Sequence, residues 1–163
     1  MAVPSCKNDV PTPTKVVELV VNLDDVTGEV IGDTVQQLLD AGALDVWTTA
    51  IQMKKQRPGV QLSVLSTEAD ALATAKRMLQ LTGSFGVRHR PWDRLVLDRT
   101  HGTLETSFGP LSVKVGRLEG DIITTQPEFE PARAAAMQAG VPVRSVLAAV
   151  HAAQVKKDKE PKL

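Results

Sequence analysis

A chain of 163 residues with 42% hydrophobic content is long enough for one substantial core. Its 19 Lys and Arg balance 19 Asp and Glu, and with 3% aromatics and no Tyr this argues against a nucleic-acid binder. A single cysteine, Cys6, rules out an intramolecular disulfide, and no apolar run approaches the roughly 18 residues of a membrane span, so a cytoplasmic protein is expected.

Residues 1–14 carry three prolines and no periodicity, and read as a loose leader. The first strand is "KVVELVVNL", with Val17, Leu19, Val21 and Leu23 alternating onto one face. A helix is expected from about Thr27, with Ile31, Val35, Leu38 and Leu39 at helical spacing and Gly42 as its stop. "LDVWTTAIQM" reads as the second strand, placing Trp47, Thr49, Ile51 and Met53 on one side. Pro58 and Gly59 fit the centre of a type II turn, so a hairpin returning through "VQLSVL" follows.

Thr67 and Asp70 resemble a capping box for a second helix carrying Leu72, Ala75 and Leu79, closed at Gly83. "GVRHR" opens a fourth strand. Further strands follow, one with Leu111, Val113 and Val115 alternating around Lys114, the other at "GDIITT". The helical stretches "PARAAAMQAG" and "SVLAAVHAAQV" come next, and "KDKEPKL", 157–163, reads as a charged tail. With no repeat or linker between 15 and 156, one α+β domain is expected: a ferredoxin-like βαββαβ core with additional C-terminal strands and helices.

That topology has a chemical consequence. In a split βαβ unit the first two strands run parallel, so "NLDDVTGE", "MKKQRPG" and "GSFGVRHR" converge at one rim of the sheet. Asp24, Asp25 and Glu29 meet Lys54, Lys55, Arg57, Arg88 and Arg90 there, beside a helix N-terminus. Paired carboxylates among cations suit a polyphosphate carrying Mg²⁺ or Mn²⁺, which takes oxygen ligands from one or two carboxylates and the rest from phosphate and water. Each feature alone has an ordinary explanation: an aspartate can cap a helix, and a basic cluster can be a solvated hairpin tip. No Walker, G-x-G-x-x-G or H-E-x-x-H motif is present, and His89, His101 and His151 lack ligand spacing.

"NLDDVTGE", "AGALDVWTTAIQMKKQRPG", "GVRHR", "LSVKVG" and "PEFE" fall in an order and spacing that resembles the C-terminal domain of the nickel-pincer cofactor nickel-insertion family (LarC), over roughly Lys15 to Val155. The resemblance implies a CTP-dependent nickel chelatase, a lyase, that inserts Ni²⁺ into pyridinium-3,5-bisthiocarboxylic acid mononucleotide. CTP with Mg²⁺ or Mn²⁺ would be consumed, and the C-terminal domain would bind the metal–CTP complex. Asp24 and Asp25 are then expected to hold the divalent cation, with Glu29 and Glu128 as further acidic candidates. Lys54, Lys55, Arg57, Arg88 and Lys114 are expected on the triphosphate.

The family's histidine-bearing N-terminal domain has no counterpart in this chain, which implies a separate nickel-binding partner chain; a homo-oligomer is also compatible. The family's usual "TPI" reads Thr49-Ala50-Ile51 here, and "EYEDC" reads Glu128-Phe129-Glu130-Pro131-Ala132. The second change removes an acidic residue and a thiolate, which sets the catalytic competence of the chain alone in question. A non-catalytic ferredoxin-like module that binds a nucleotide or regulates assembly is the alternative, and CTP turnover separates the two.

Overall fold

The computed structural model describes residues 14–159, which divide into two compact units, 14–95 and 96–159, inside the span that the sequence reading treats as one. Cys6 and all but the last residue of the expected leader lie outside the described residues. No helix among those described is long and apolar enough to cross a membrane.

The first unit runs β1 (Thr14–Leu23), α1 (Gly28–Asp40), β2 (Asp45–Met53), β3 (Arg57–Thr67), α2 (Ala71–Thr82) and β4 (Arg88–Arg94). Its sheet has the order β2-β3-β1-β4 with antiparallel neighbours, the split βαβ arrangement expected. Val17, Leu19, Val21 and Leu23 are all buried, joined by Leu62 and Val64 of β3, Ile31 and Leu38 of α1 and Met78 of α2. Complete burial of each such side chain contributes about 1.5–3 kcal/mol, which fixes the register of the strands that carry them.

Three local expectations change in this unit, and a fourth holds with its face now assigned. Trp47, Thr49, Ile51 and Met53 do share a face, but it is the face turned away from the helices; Val46 is the β2 residue packed on the core, opposite Val64. In α1 the buried positions are Ile31, Thr34 and Leu38, while Leu39 is exposed. The inward face of α2 holds Ala71, Ala75, Met78 and Thr82, so Leu72 is 69% exposed. Asp70 occupies the α2 cap position but makes no side-chain cap bond; instead Thr67 Oγ1 donates to Asp70 Oδ2 at 2.7 Å and accepts from the Asp70 N–H at 3.1 Å.

The hairpin turn is also displaced. Pro58 and Gly59 lie inside β3, opposite Gln52 and Ile51, and the chain reverses at Lys54–Gln56. Pro58 is the second residue of β3, ahead of Val60 where pairing with β1 begins, so it removes no bond from that pair, and Gly59 has a packing reason given below.

The second unit is a meander, β5 (Asp98–Thr106), β6 (Gly109–Leu118) and β7 (Asp121–Pro127), followed by α3 (Phe129–Ala139) and α4 (Val143–Lys159). Leu104, Leu111 and Val113 form its core with Ala132, Ala136, Val146 and Val150, the alanines letting α3 approach closely. Strand β5 carries no clear alternation of its own, since Thr, Gly, His and charged residues dilute its pattern. Pro131 falls in the first turn of α3, where a missing N–H is harmless. Helix α4 continues through Lys159, three residues into the expected tail.

Candidate functional site

The rim forms where β1 ends. After Leu23 the chain leaves the sheet through Asp24, Asp25 and Val26, and α1 starts at Gly28 with Thr27 as its cap. The Thr27 hydroxyl accepts from the Val30 N–H at 3.4 Å, and its carbonyl accepts from the Ile31 N–H at 3.0 Å. Neither aspartate therefore caps the helix. Both are exposed at the sheet edge, and Glu29 is exposed in the first turn of α1, where its charge suits the helix dipole.

The hairpin supplies the cations. Met53 pairs with Arg57, leaving Lys54, Lys55 and Gln56 as a three-residue tip. Lys55 has φ 60° and ψ 26°, and Gln56 has φ 59°, so two adjacent residues with side chains sit in the left-handed region. Each such residue costs about 1–2 kcal/mol, and strain of this kind concentrates at functional sites. Neither position is the glycine or asparagine that a hairpin tip normally uses there. Lys54, Lys55 and Arg57 are all exposed.

Two contacts tie the segments together. Arg57 Nη1 donates to Asp24 Oδ2 at 3.2 Å, joining the hairpin to the end of β1. Arg88 opens β4 opposite Val20, and its Nη2 donates to Asn22 Oδ1 at 2.8 Å, joining β4 to the same strand end. Asn22 escaped the sequence reading, because only strand pairing shows that it faces Arg88. Gly59 keeps the hairpin close: a Cβ there would meet the Leu23 carbonyl oxygen at 2.7 Å and Met53 Sδ at 2.9 Å. Arg90 is otherwise engaged, its guanidinium 4.5 Å over the Trp92 ring, while Trp92 Nε1 donates to Glu18 Oε2 at 3.0 Å.

The rim thus brings together Asp24, Asp25, Glu29, Lys54, Lys55, Arg57 and Arg88. Lys114 and Glu128 belong to the other unit. There Lys114 Nζ lies 3.7 Å from Glu128 Oε1, and His101 Nδ1 lies 3.1 Å from the same oxygen. His101 and Lys114 are direct partners across β5 and β6, so the histidine was invisible as a neighbour without β5. Glu128 stands before the first residue of α3 without a side-chain cap bond, and its N–H donates to the Ser112 carbonyl at 2.9 Å.

Among the described residues, no three of His, Cys, Asp and Glu converge as a protein-only metal cage. Two exposed carboxylates with cations around them fit the other kind of site. A hard divalent ion accepts one or two carboxylates and takes phosphate oxygens and water for the rest.

Comparison with known proteins gives a consistent picture. The family model described as nickel insertion protein matches residues 5–147. The chain is 40% identical over 149 residues to the pyridinium-3,5-bisthiocarboxylic acid mononucleotide nickel insertion protein of Lactiplantibacillus plantarum, covering 91% of this chain and 35% of that protein. It is 38% identical over 129 residues to the protein of the same name from Staphylococcus saprophyticus, covering 79% and 33%. The chain therefore spans about a third of the length of these curated relatives. Among solved structures it is similar to LarC2, described as the C-terminal domain of a cyclometallase involved in the synthesis of the NPN cofactor of lactate racemase, in the apo form. That match has a TM-score of 0.84 at 39% identity and covers 87% of this chain and 98% of the other.

Proposed function

The chain belongs to the nickel insertion protein family, and from that premise we propose that it binds a divalent-metal–CTP complex at the rim of its first unit. It would serve as the CTP-binding part of a nickel chelatase acting on pyridinium-3,5-bisthiocarboxylic acid mononucleotide. The observation that carries this reading is the pairing of Arg57 with Asp24 and of Arg88 with Asn22 at the end of β1, beside a strained tip bearing Lys54 and Lys55.

Asp24 and Asp25 would hold Mg²⁺ or Mn²⁺, with Glu29 behind them. When bound, the ion would neutralise phosphate charge and orient the triphosphate. Arg57 and Arg88 offer guanidinium N–H groups suited to phosphate oxygens, and Lys54 and Lys55 offer ammonium groups. Their joint role would be to keep the α-phosphate open to in-line attack while offsetting charge on the pyrophosphate leaving group.

Nickel is the inserted metal in this reading and would come from a nickel-binding partner of the histidine-bearing N-terminal type. Lys114 and Glu128, expected on the triphosphate and the cation, lie in the second unit, paired with each other. The deciding experiment is calorimetric titration of the purified chain with CTP, ATP, GTP and UTP, with and without Mn²⁺. The expected outcome is Mn²⁺-dependent binding with CTP preferred. A chain that binds no triphosphate under either condition would overturn the proposal, and CTP binding without turnover in the presence of substrate, Ni²⁺ and partner would favour the regulatory module.

A further inference from the structure

We propose that Phe85 is the base-stacking residue of the rim, its ring lying against the face of the nucleobase of a bound nucleoside triphosphate. The inference rests on reading the rim as a triphosphate site. Phe85 is fully exposed, at 109% of its reference surface. The chain has three phenylalanines and no tyrosine, and Phe85 is the most exposed large hydrophobic among the described residues.

The loop that carries it is braced. Gly83 ends α2 in the left-handed conformation, φ 69°, with its N–H donating to the Leu79 carbonyl at 2.9 Å. The Ser84 N–H donates to Thr82 Oγ1 at 3.3 Å, and the buried Thr82 hydroxyl in turn donates to the Met78 carbonyl at 2.7 Å. Ser84 Oγ donates to the Gly86 carbonyl at 3.2 Å. Leu81 and Val87 on either side pack into the core. The backbone is thus tied on both sides of Phe85, and the ring is presented outward by the fold.

Its position matches the task. Phe85 is three residues before Arg88, whose guanidinium reaches Asn22 at the end of β1 beside Asp24. Three residues of chain span at most about 10 Å, so the Phe85 backbone lies within that distance of Arg88. A second copy of the chain is the competing occupant. A stable protein interface needs an apolar core of several residues, whereas within the rim segments 24–29, 54–57 and 84–88 Phe85 is the one exposed large hydrophobic. Its chain neighbours are Ser84 and Gly86, with Arg88 three residues on. A single ring in a polar, cationic setting suffices to stack a base.

The test compares Phe85→Ala and Phe85→Trp with the wild type in calorimetric titrations with CTP and with inorganic tripolyphosphate, both in Mn²⁺. Expected are an approximately tenfold or greater loss of CTP affinity in Phe85→Ala, retention in Phe85→Trp, and unchanged tripolyphosphate binding in both. Unchanged CTP affinity in Phe85→Ala, with tripolyphosphate still bound, would overturn stacking alone. Equal losses for CTP and tripolyphosphate would make Phe85 a brace for the loop instead. Loss of self-association in sedimentation without a base-dependent loss would give the ring to a second copy. Failure of the wild type to bind tripolyphosphate at all would overturn the rim reading and stacking with it.

Discussion

Arg57 and Asp24 are 33 residues apart in the chain, and Arg57 Nη1 donates to Asp24 Oδ2 at 3.2 Å. The guanidinium is 59% exposed and the carboxylate 21%, so the pair adds only about 0.2–1 kcal/mol to stability. Its larger effect is placement. It holds a cation and an acidic oxygen side by side at the edge where β1, β3 and α1 meet, and among the described residues neither the second carboxylate oxygen nor Asp25 has a side-chain bond.

The aspartates therefore separate from the helix cap by experiment. Asp24→Asn with Asp25→Asn keeps the side-chain acceptors and should lower the stability of the ligand-free protein by less than about 1 kcal/mol. Thr27→Ala removes the actual cap and should cost about 0.5–2 kcal/mol. Melting curves with Mn²⁺ and CTP at about 100 times Kd should show stabilisation of about 2.7 kcal/mol in the wild type. The double variant should lose the Mn²⁺-dependent part, because a neutral amide cannot replace a carboxylate on a divalent ion. A double variant that keeps the full shift would remove the aspartates from the metal assignment.

The tip makes a prediction in which stability and binding move apart. Lys55→Gly relieves a left-handed residue worth about 1–2 kcal/mol, offset in part by about 0.5–1 kcal/mol of added chain entropy. The ligand-free protein should melt at the same temperature or higher, while Lys55→Ala keeps the strain and gains nothing. Both variants, and Arg57→Ala, lose a charge-assisted contact of about 1.5–3 kcal/mol and should bind CTP about 10- to 100-fold more weakly. Full CTP affinity in Lys55→Gly would return the tip to an ordinary solvated hairpin.

What the sequence made legible follows from how strongly each signal is tied to burial. The alternation of Val17, Leu19, Val21 and Leu23 could be satisfied by one face of one strand, and it led directly to the sheet order and the rim. Helical spacing alone leaves the phase of the buried face open, so Leu72 and Leu39 are exposed while Met78 and Thr34 are buried. Pro58-Gly59 looked like a turn because the dipeptide allows one. The structure uses Gly59 for a close contact with the Leu23 carbonyl, and leaves the reversal to Lys55 and Gln56, whose side chains carry no sequence signal for positive φ. His101 beside Glu128 depends on a β5 pairing between positions that no local pattern connects.

Nickel should bind this chain weakly when it is alone. Among the described residues no His, Cys, Asp and Glu side chains form a three-ligand group, and a borderline-soft ion gains little from isolated oxygen donors. The best-placed nitrogen is the one on His101 that does not face Glu128, since a carboxylate on the other ring nitrogen fixes the imidazole for ligation. Substoichiometric Ni²⁺ followed by NMR should broaden the His101 ring signals before those of His89 and His151, and Glu128→Gln should erase that preference. Tight one-to-one nickel binding by the isolated chain would contradict the need for a nickel-delivering partner.

Gly59→Ala tests the rim without altering any charge. A Cβ at this position would lie 2.7 Å from the Leu23 carbonyl oxygen and 2.9 Å from Met53 Sδ. The sulfur belongs to a flexible side chain that can move aside, whereas the carbonyl belongs to the last residue of β1 and can yield only if the hairpin shifts. Overpacking of this kind costs about 1–3 kcal/mol, and for a domain of this size each kcal/mol lowers Tm by about 4–8 °C. The shift also carries Arg57 away from Asp24, so Mn²⁺–CTP affinity should fall even though every rim residue remains. Adding Met53→Ala should not restore either property, because the backbone contact is the obstacle. Recovery of both by the second substitution would mean the sulfur alone set the spacing, and unchanged Tm and CTP affinity in Gly59→Ala would mean that the rim does not depend on how closely the hairpin lies against β1.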